Sequence, residues 1–302
     1  MRVFHSDAYP LELPKGHRFP ITKYALLKAA LLERGIVEAS DLIETPLANR
    51  KQLCAVHTDE YVDAVFEGTL DPGTQRRIGL PWSKQLLERC LASVGATVAA
   101  ARTAIEMGVS GSLSGGTHHS FVDRGEGFCV FNDIAVAIRD LQASGRIQRA
   151  MIVDLDVHQG NGSASIFRDD ANVFTFSMHG AKNFPFKKEK SDLDIGVPDG
   201  IGDDEYLAEL KKVWPGLLER FDCDVVFYLA GVDVLAKDSF GRLNLSHEGI
   251  RERDRLIIQS VYENRIPLVL TLGGGYSKPI DRSVEAYVGT YETVKSVYGE
   301  QW

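Results

Sequence analysis

Asp154-Leu155-Asp156-Val157-His158 follows the apolar run Met151-Ile152-Val153 and is the stretch of this chain best placed to do chemistry. Two carboxylates and an imidazole sit at alternate positions where a buried strand ends. Side chains two apart on an extended backbone point the same way, so Asp156 and His158 can reach one metal ion together. Carboxylates buried at the end of an apolar strand are costly unless a cation or hydrogen bonds compensate them. Taken alone, the stretch is also compatible with a polar loop after a strand. Three further segments outweigh that reading: Gly115-Gly116-Thr117-His118-His119, Ala230-Gly231-Val232-Asp233 and Gly273-Gly274-Gly275-Tyr276.

Asp156, His158 and Asp233 offer a metal two oxygens and one nitrogen. Three protein ligands leave a position for water, as a catalytic zinc site requires. Zinc would lower the pKa of that water to roughly 7 and polarise a substrate carbonyl. The plainer role for Asp233 is a turn or helix cap after Gly231. Adjacent histidines in a loop are usually polar surface. Glycines before His118 and His119, and Gly125-Glu126-Gly127-Phe128 after them, instead suggest backbone packed around a ligand. One histidine can take a proton from activated water and deliver it to a leaving amine. Asp154 and Asn161 are available to fix the ring tautomers. The glycine run before Tyr276 can be a structural turn, or it can set a phenol over the site. Loss of one oxyanion donor of that kind typically costs about 10²–10³ in rate. No Gly-x-Ser-x-Gly elbow, P-loop or Gly-x-Gly-x-x-Gly occurs, so serine hydrolysis and nucleotide binding lack support.

The elements that must position these groups alternate. Arg149–Val153, Val173–Ser177, Val225–Ala230 and Leu268–Leu272 read as short buried strands, and Leu53–His57 and Val109–Leu113 as weaker ones. Helices are predicted from Thr22 to Arg34, from Lys84 to Met107 behind a Ser83 cap, and from Asp133 to Ala143. Two more run over Glu205–Phe221, capped by Asp203 or Asp204 and kinked at Pro215, and from Ser246 to about Asn264. This order predicts a single α/β domain over 1–302, with a mostly parallel sheet covered on both faces. Gly68–Trp82 and Ala181–Gly202 read as long loops of the functional kind. Ligands of such sheets bind beyond the carboxyl ends of the strands. His118 and His119, the Asp154–His158 group, His179, Asp233 and Tyr276 all fall there.

The chain has 302 residues, 44% hydrophobic and 25% charged, with a formal net charge of −8. That balance disfavours nucleic acid, whose binding rests on phosphate neutralisation, and suits cationic substrates. The longest basic cluster, Lys187-Lys188-Glu189-Lys190, reads as a solvated loop. Four cysteines, Cys54, Cys90, Cys129 and Cys223, show no Cys-x-x-Cys spacing and predict a reducing compartment. Neither a signal-peptide core nor a membrane-spanning run is evident, so a cytoplasmic location is expected, or a nuclear one in a eukaryote.

Together, Ser114–His119, Gly127-Phe128-Cys129-Val130-Phe131-Asn132-Asp133, Asp154–Gly162, Ala230–Asp233 and Gly273–Tyr276 resemble the zinc-dependent histone deacetylase family in order and spacing, from about His57 onward. Asp123–Cys129 and His158-Gln159-Gly160-Asn161-Gly162 are most similar to its class IV branch and bacterial relatives. The resemblance implies the arginase/deacetylase fold, with about eight strands. It implies that Asp156, His158 and Asp233 bind zinc (Zn2+) and that His119 is general base and acid. It gives His118 the partner role that stabilises charge and leaving group, with Asp154 behind His118 and Asn161 behind His119. Tyr276 would polarise the acyl carbonyl. Gly127 and Phe128, with Phe184 opposite, would line the acyl-lysine tunnel. A structural potassium ion (K+) would sit at Asp154, Asp156, His158, Ser177 and Met178.

Two departures stand out. Asn161 replaces the aspartate of many members, and a neutral partner makes His119 less basic. The rim aspartate that grips a peptide backbone in several members has no counterpart assigned in Gly68–Trp82. The leading expectation is hydrolysis of an N-acyl-lysine, in a protein or peptide, with acetyl as the default acyl group and a longer fatty acyl group open. An acetylpolyamine or other small-amide amidohydrolase with the same centre is the alternative. A ureohydrolase with two manganese ions would need a second bridging carboxylate near Asp233 that the spacing does not provide. A binding module without turnover would have no use for His118, His119 and Tyr276. The oligomeric state is left open.

Overall fold

The structure is a computed structural model that describes residues 1–299. Among these the chain runs β1 (Val3–His5), α1 (Lys23–Glu33), β2 (Leu42–Glu44), α2 (Arg50–Leu53), α3 (Asp59–Glu67), α4 (Pro72–Ile78), α5 (Lys84–Met107), β3 (Val109–Ser112) and α6 (Asp133–Ala143). It continues through β4 (Ala150–Asp154), α7 (Asn161–Phe167), β5 (Val173–Gly180), β6 (Leu193–Val197), α8 (Asp203–Arg220), β7 (Val225–Leu229), α9 (His247–Glu263), β8 (Leu268–Thr271) and α10 (Asp281–Tyr298). The eight strands form one sheet in the order β2-β1-β3-β8-β7-β4-β5-β6, and every pairing is parallel.

Strand alternation builds an apolar layer on each face. Val226 and Tyr228 of β7, with Met151 and Val153 of β4, join one buried layer together with α8, α9 and α10. Val225, Phe227 and Leu229, with Ala150 and Ile152, join the other together with α5 and α6. Both faces are buried, which is why these strands read as continuous apolar runs. Polar caps start the helices as expected: Ser83 accepts from Leu86 N at 3.0 Å and Ser246 from Gly249 N at 3.0 Å. Asn132 does the same for α6, accepting from Ala135 N at 3.0 Å.

Several expectations need correction. Leu53–His57 is not a strand: α2 ends at Leu53, started by a reciprocal cap between Asn49 and Gln52. Gly68–Trp82 is not a bare loop, because Asp71 caps α4 and Pro72 stands where a helix tolerates proline. Ala181–Gly202 contains β6, a strand whose exposed, polar side hides its pattern. His179 lies inside β5, which runs on to Gly180. Neither Asp203 nor Asp204 caps α8, which starts after Gly202 without a side-chain cap. Asp203 instead accepts from Ser246 N at 2.8 Å and Ser246 Oγ at 2.6 Å, tying α8 to α9. Pro215 lies within α8 without ending it.

His57 pins the segment after α2 to the polar loops. Its Nδ1–H donates to Phe121 O at 2.8 Å, and its Nε2 accepts from Asn132 N at 3.0 Å. Both ring nitrogens are committed to the neutral form, and burial lowers the pKa to about 4 from an ordinary 6.5. The unfolded chain takes this proton below pH 6.5 and the fold refuses it until about pH 4. The stability tied to His57 is therefore complete above that window and is lost as pH falls through it, at up to about 1.4 kcal/mol per pH unit. His57→Gln keeps one donor and one acceptor without the proton site. Denaturant unfolding from pH 7 to pH 4 is expected to show a slope shallower by about one proton in the variant; identical slopes would show that His57 is not the group responsible.

Candidate active site

β3, β8, β7 and β4 are successive neighbours in the sheet, so the chain segments leaving their carboxyl ends converge. These segments carry His118 and His119, Gly273–Tyr276, Asp233, and Asp156 with His158. The sequence-predicted centre is thus brought together by topology rather than by proximity along the chain.

Asp156 and Asp233 are fully buried and His158 is nearly so. One ligand atom from each lies within 4.8 Å of the other two. His158 Nδ1 is 3.0 Å from Asp156 Oδ1 and 3.0 Å from Asp233 Oδ2. Backbone amides hold the remaining carboxylate oxygens: Gly274 N donates to Asp156 Oδ2 at 2.6 Å, and Val157 N to Asp233 Oδ1 at 2.9 Å. Asp233 Oδ2 is buried without a hydrogen bond. A buried carboxylate oxygen whose near neighbours are an imidazole nitrogen and a second carboxylate fits a divalent cation. The electrostatics agree. Burial and the Asp156 charge push the Asp233 carboxyl up to about 7. Burial opposes a charged His158, but Asp233 and Asp156 raise it to about 10. Glycine is required beside this trio, since a Cβ at Gly274 would collide with Asp233 Oδ2.

The two histidines are differentiated by what stands behind them. His118 Nδ1–H donates to Asp154 Oδ2 at 2.6 Å. Burial works against its charge, yet the Asp154 carboxylate prevails and raises it to about 9. His119 Nδ1–H donates to Asn161 Oδ1 at 2.7 Å. Burial, with positive charge from His118 and His158, holds His119 well below its ordinary value. The Asp154 carboxylate thus favours the charged form of His118, while burial favours the neutral form of His119. Behind Asn161 stands a group that sequence reading missed: Asn161 Nδ2 donates to Glu126 Oε1 at 2.5 Å. The neutral Asn161 thus relays a carboxylate one residue further back.

Gly127, Phe128 and Phe184 all border one cavity. His119, His158, Gly127, Phe128, Phe184 and Tyr276 share an open cleft of about 460 Å³, and a smaller chamber beneath it reaches Asp156, His118 and Gly273. The Phe184 ring stands edge-on to His119 with centroids 4.9 Å apart, and Phe128 lies 6.2 Å from Tyr276. Gly127 has φ +57, and a Cβ there would press into the His119 ring. Tyr276 is aimed through its backbone, its N–H donating to Asp238 Oδ2 at 2.6 Å, while its ring packs on Phe240 at 4.8 Å.

Two buried cations also escaped sequence reading. Arg253 of α9 is fully buried and donates to Gly231 O at 2.7 Å and Leu155 O at 3.2 Å. It thereby clamps the two loops that carry Asp156, His158 and Asp233, with Asp254 accepting from its Nε at 2.9 Å. A charged residue on the apolar stripe of Ile250, Ile257 and Val261 was the available signal. Lys23 donates to Gly273 O at 2.9 Å beneath the site. Burial lowers it to about 8 despite the Asp233, Asp156 and Asp238 charges. For the expected potassium site, the register sets Asp154 beside Ser177. Asp154 Oδ1 accepts from Asp156 N, and Ser177 Oγ pairs with His179 Nδ1. Among the described residues, no side-chain oxygen of Asp154 or Ser177 is left without a hydrogen bond as Asp233 Oδ2 is.

The chain is similar to several known proteins. An uncharacterized protein of Picosynechococcus sp. is 44% identical over 98% of this chain and 98% of its own length. Histone deacetylase 2 of Arabidopsis thaliana is 31% identical over 93% of this chain and 76% of its own. The fold matches an HDAC homolog from Aquifex aeolicus at TM-score 0.82 and 23% identity, covering 97% of this chain and 83% of that one. An HDAC homolog solved in complex with SAHA aligns at TM-score 0.83 and 24% identity, over 98% and 84% of the two chains. A model of the histone deacetylase domain matches residues 17–291. With strand order, converging loops and near full-length relatives in agreement, this chain belongs to the histone deacetylase family.

Proposed function

We propose that the chain hydrolyses the amide of an N-acyl-lysine, with acetyl as the default acyl group. The observation that carries this reading is Asp233 Oδ2, buried and unbonded beside His158 Nδ1 and Asp156, beneath a cleft that His119 and Tyr276 line. A zinc ion held by Asp156, His158 and Asp233 would polarise the amide carbonyl and make water more acidic. The protein's own groups do the rest. Phe128 and Phe184 pack along the apolar lysine stem and keep bulk water out. His119 Nε2, with Nδ1 committed to Asn161, accepts a proton from the attacking water as its oxygen bonds the carbonyl carbon. The Tyr276 hydroxyl donates to the developing oxyanion. The carbon–nitrogen bond then breaks, and His119 returns the proton to the lysine nitrogen, leaving a carboxylate and a free amine. His118, kept cationic by Asp154, stabilises negative charge without giving up its proton. Glu126 behind Asn161 restores part of the basicity that an aspartate would have supplied.

Acyl-lysine peptides with acyl chains of increasing length, assayed beside acetylated polyamines with metal content measured in parallel, test the reading directly. Turnover of the peptides with about one zinc per chain is expected. Activity confined to the polyamines would overturn the acyl-lysine assignment in favour of a small-amide hydrolase.

Tyr276→Phe is expected to lower kcat by about 10²–10³ with little change in KM or bound metal. Asp233→Asn should instead lose the metal itself, which elemental analysis reads without any activity assay. Glu126→Gln is expected to lower kcat by about tenfold at full metal content. Unchanged kcat in that variant would remove Glu126 from the mechanism and leave Asn161 as the only orienting group.

A further inference from the structure

The cleft mouth reverses the charge of the molecule. The chain as a whole carries −8, yet the residues lining the cleft include Arg18, Arg76, Arg77, Lys182 and Arg242 and no aspartate or glutamate. They come from four separate segments: the stretch before α1, α4, the turn after β5, and the loop between β7 and α9. Among the described residues, Arg18, Arg76, Arg77 and Lys182 form no ion pair, and Arg242 only a 3.5 Å contact with exposed Asp199. The Arg18 guanidinium is anchored 5.4 Å over the Phe240 ring, which itself packs on Tyr276. The single carboxylate of Gly68–Trp82, Asp71, is exposed and caps α4 through one oxygen, its Oδ1 accepting from Gly73 N at 2.8 Å and Thr74 N at 3.0 Å. Exposed Phe186 adds an apolar lip.

Resting on the acyl-lysine reading, we infer that the substrate is an acidic segment of polypeptide, with aspartate or glutamate on both sides of the acylated lysine. Uncompensated cations at a concave mouth raise the local concentration of anions and repel cations. A polyamine or an arginine-rich tail would bring its own positive charges against the rim. A lone small anion would engage one segment, whereas cations supplied by four segments suit a ligand with carboxylates spaced along a chain. Overall charge alone suggests the opposite preference; the local arrangement decides because exposed charges act within about a Debye length, roughly 8 Å at physiological salt.

The test uses the full, metal-loaded chain and three acetyl-lysine peptides matched except for flanks of aspartate, alanine or arginine. Binding is read by fluorescence anisotropy and turnover by amine release, at low and at high salt. The aspartate-flanked peptide is expected to bind about tenfold more tightly than the alanine peptide, and the arginine peptide more weakly than either, with the differences shrinking in salt. The charge reversals Arg18→Glu, Arg76→Glu and Lys182→Glu, combined, should invert the order; glutamine at the same exposed positions should level it, a second check that does not depend on the reversal variant folding. Equal binding of all three peptides, or preference for arginine flanks, overturns the inference. Turnover without charge preference defeats this inference and leaves the hydrolase reading standing. Selective binding of acidic peptides with no turnover of any does the reverse.

Discussion

Asp156 and Asp233 are sealed from water within reach of one imidazole nitrogen, and much of the surrounding structure makes that tolerable. Two carboxylates buried side by side repel each other and lose their hydration, a cost of several kcal/mol per ion even after relaxation. Backbone amides of Gly274 and Val157 take one oxygen of each. The Arg253 guanidinium, itself buried, fixes the carbonyls of Leu155 and Gly231, one in each loop. Asp254 neutralises Arg253 and also accepts from Tyr228 on β7 and Thr290 on α10. The site is therefore continuous with the core: the groups that hold its loops are the groups that hold α9 and α10 to the sheet.

The same constraint explains the division of labour between His118 and His119. The rings are adjacent, with centroids 4.1 Å apart, and two imidazolium ions at that distance would be unfavourable. A carboxylate behind one and an amide behind the other settle which ring carries the charge. The choice of asparagine at position 161 is thus coupled to Asp154, and Glu126 tempers it from a position with access to solvent.

The central strands were legible because both of their faces are buried, which leaves no polar alternation to confuse the pattern. β1 and β2, three residues each at one side of the sheet, are too short to stand out. α4 was hidden by Pro72, Gly73 and Gly79, residues that mark turns in isolation but here begin and end a helix. Asp156, His158, Asp233, His118, His119 and Tyr276 could be named in advance because their types and order are unusual. Arg253, Lys23, Asp238 and Glu126 could not, because charged residues on helices and loops are commonplace until the fold shows which way they point. The basic mouth was concealed for another reason: its members are scattered from position 18 to position 242 and diluted by a net negative composition.

Floor and mouth are built from different kinds of residue. The floor consists of glycines with no room for a Cβ and of buried ions tied to backbone groups of the strand-end loops. The mouth carries long, exposed side chains, on the outer side of α4 and on connecting segments. Natural drift and laboratory selection therefore meet unequal resistance along the depth of one cleft. Substrate choice can be rewritten from the lip by ordinary point changes, while the reaction type is inherited nearly unaltered.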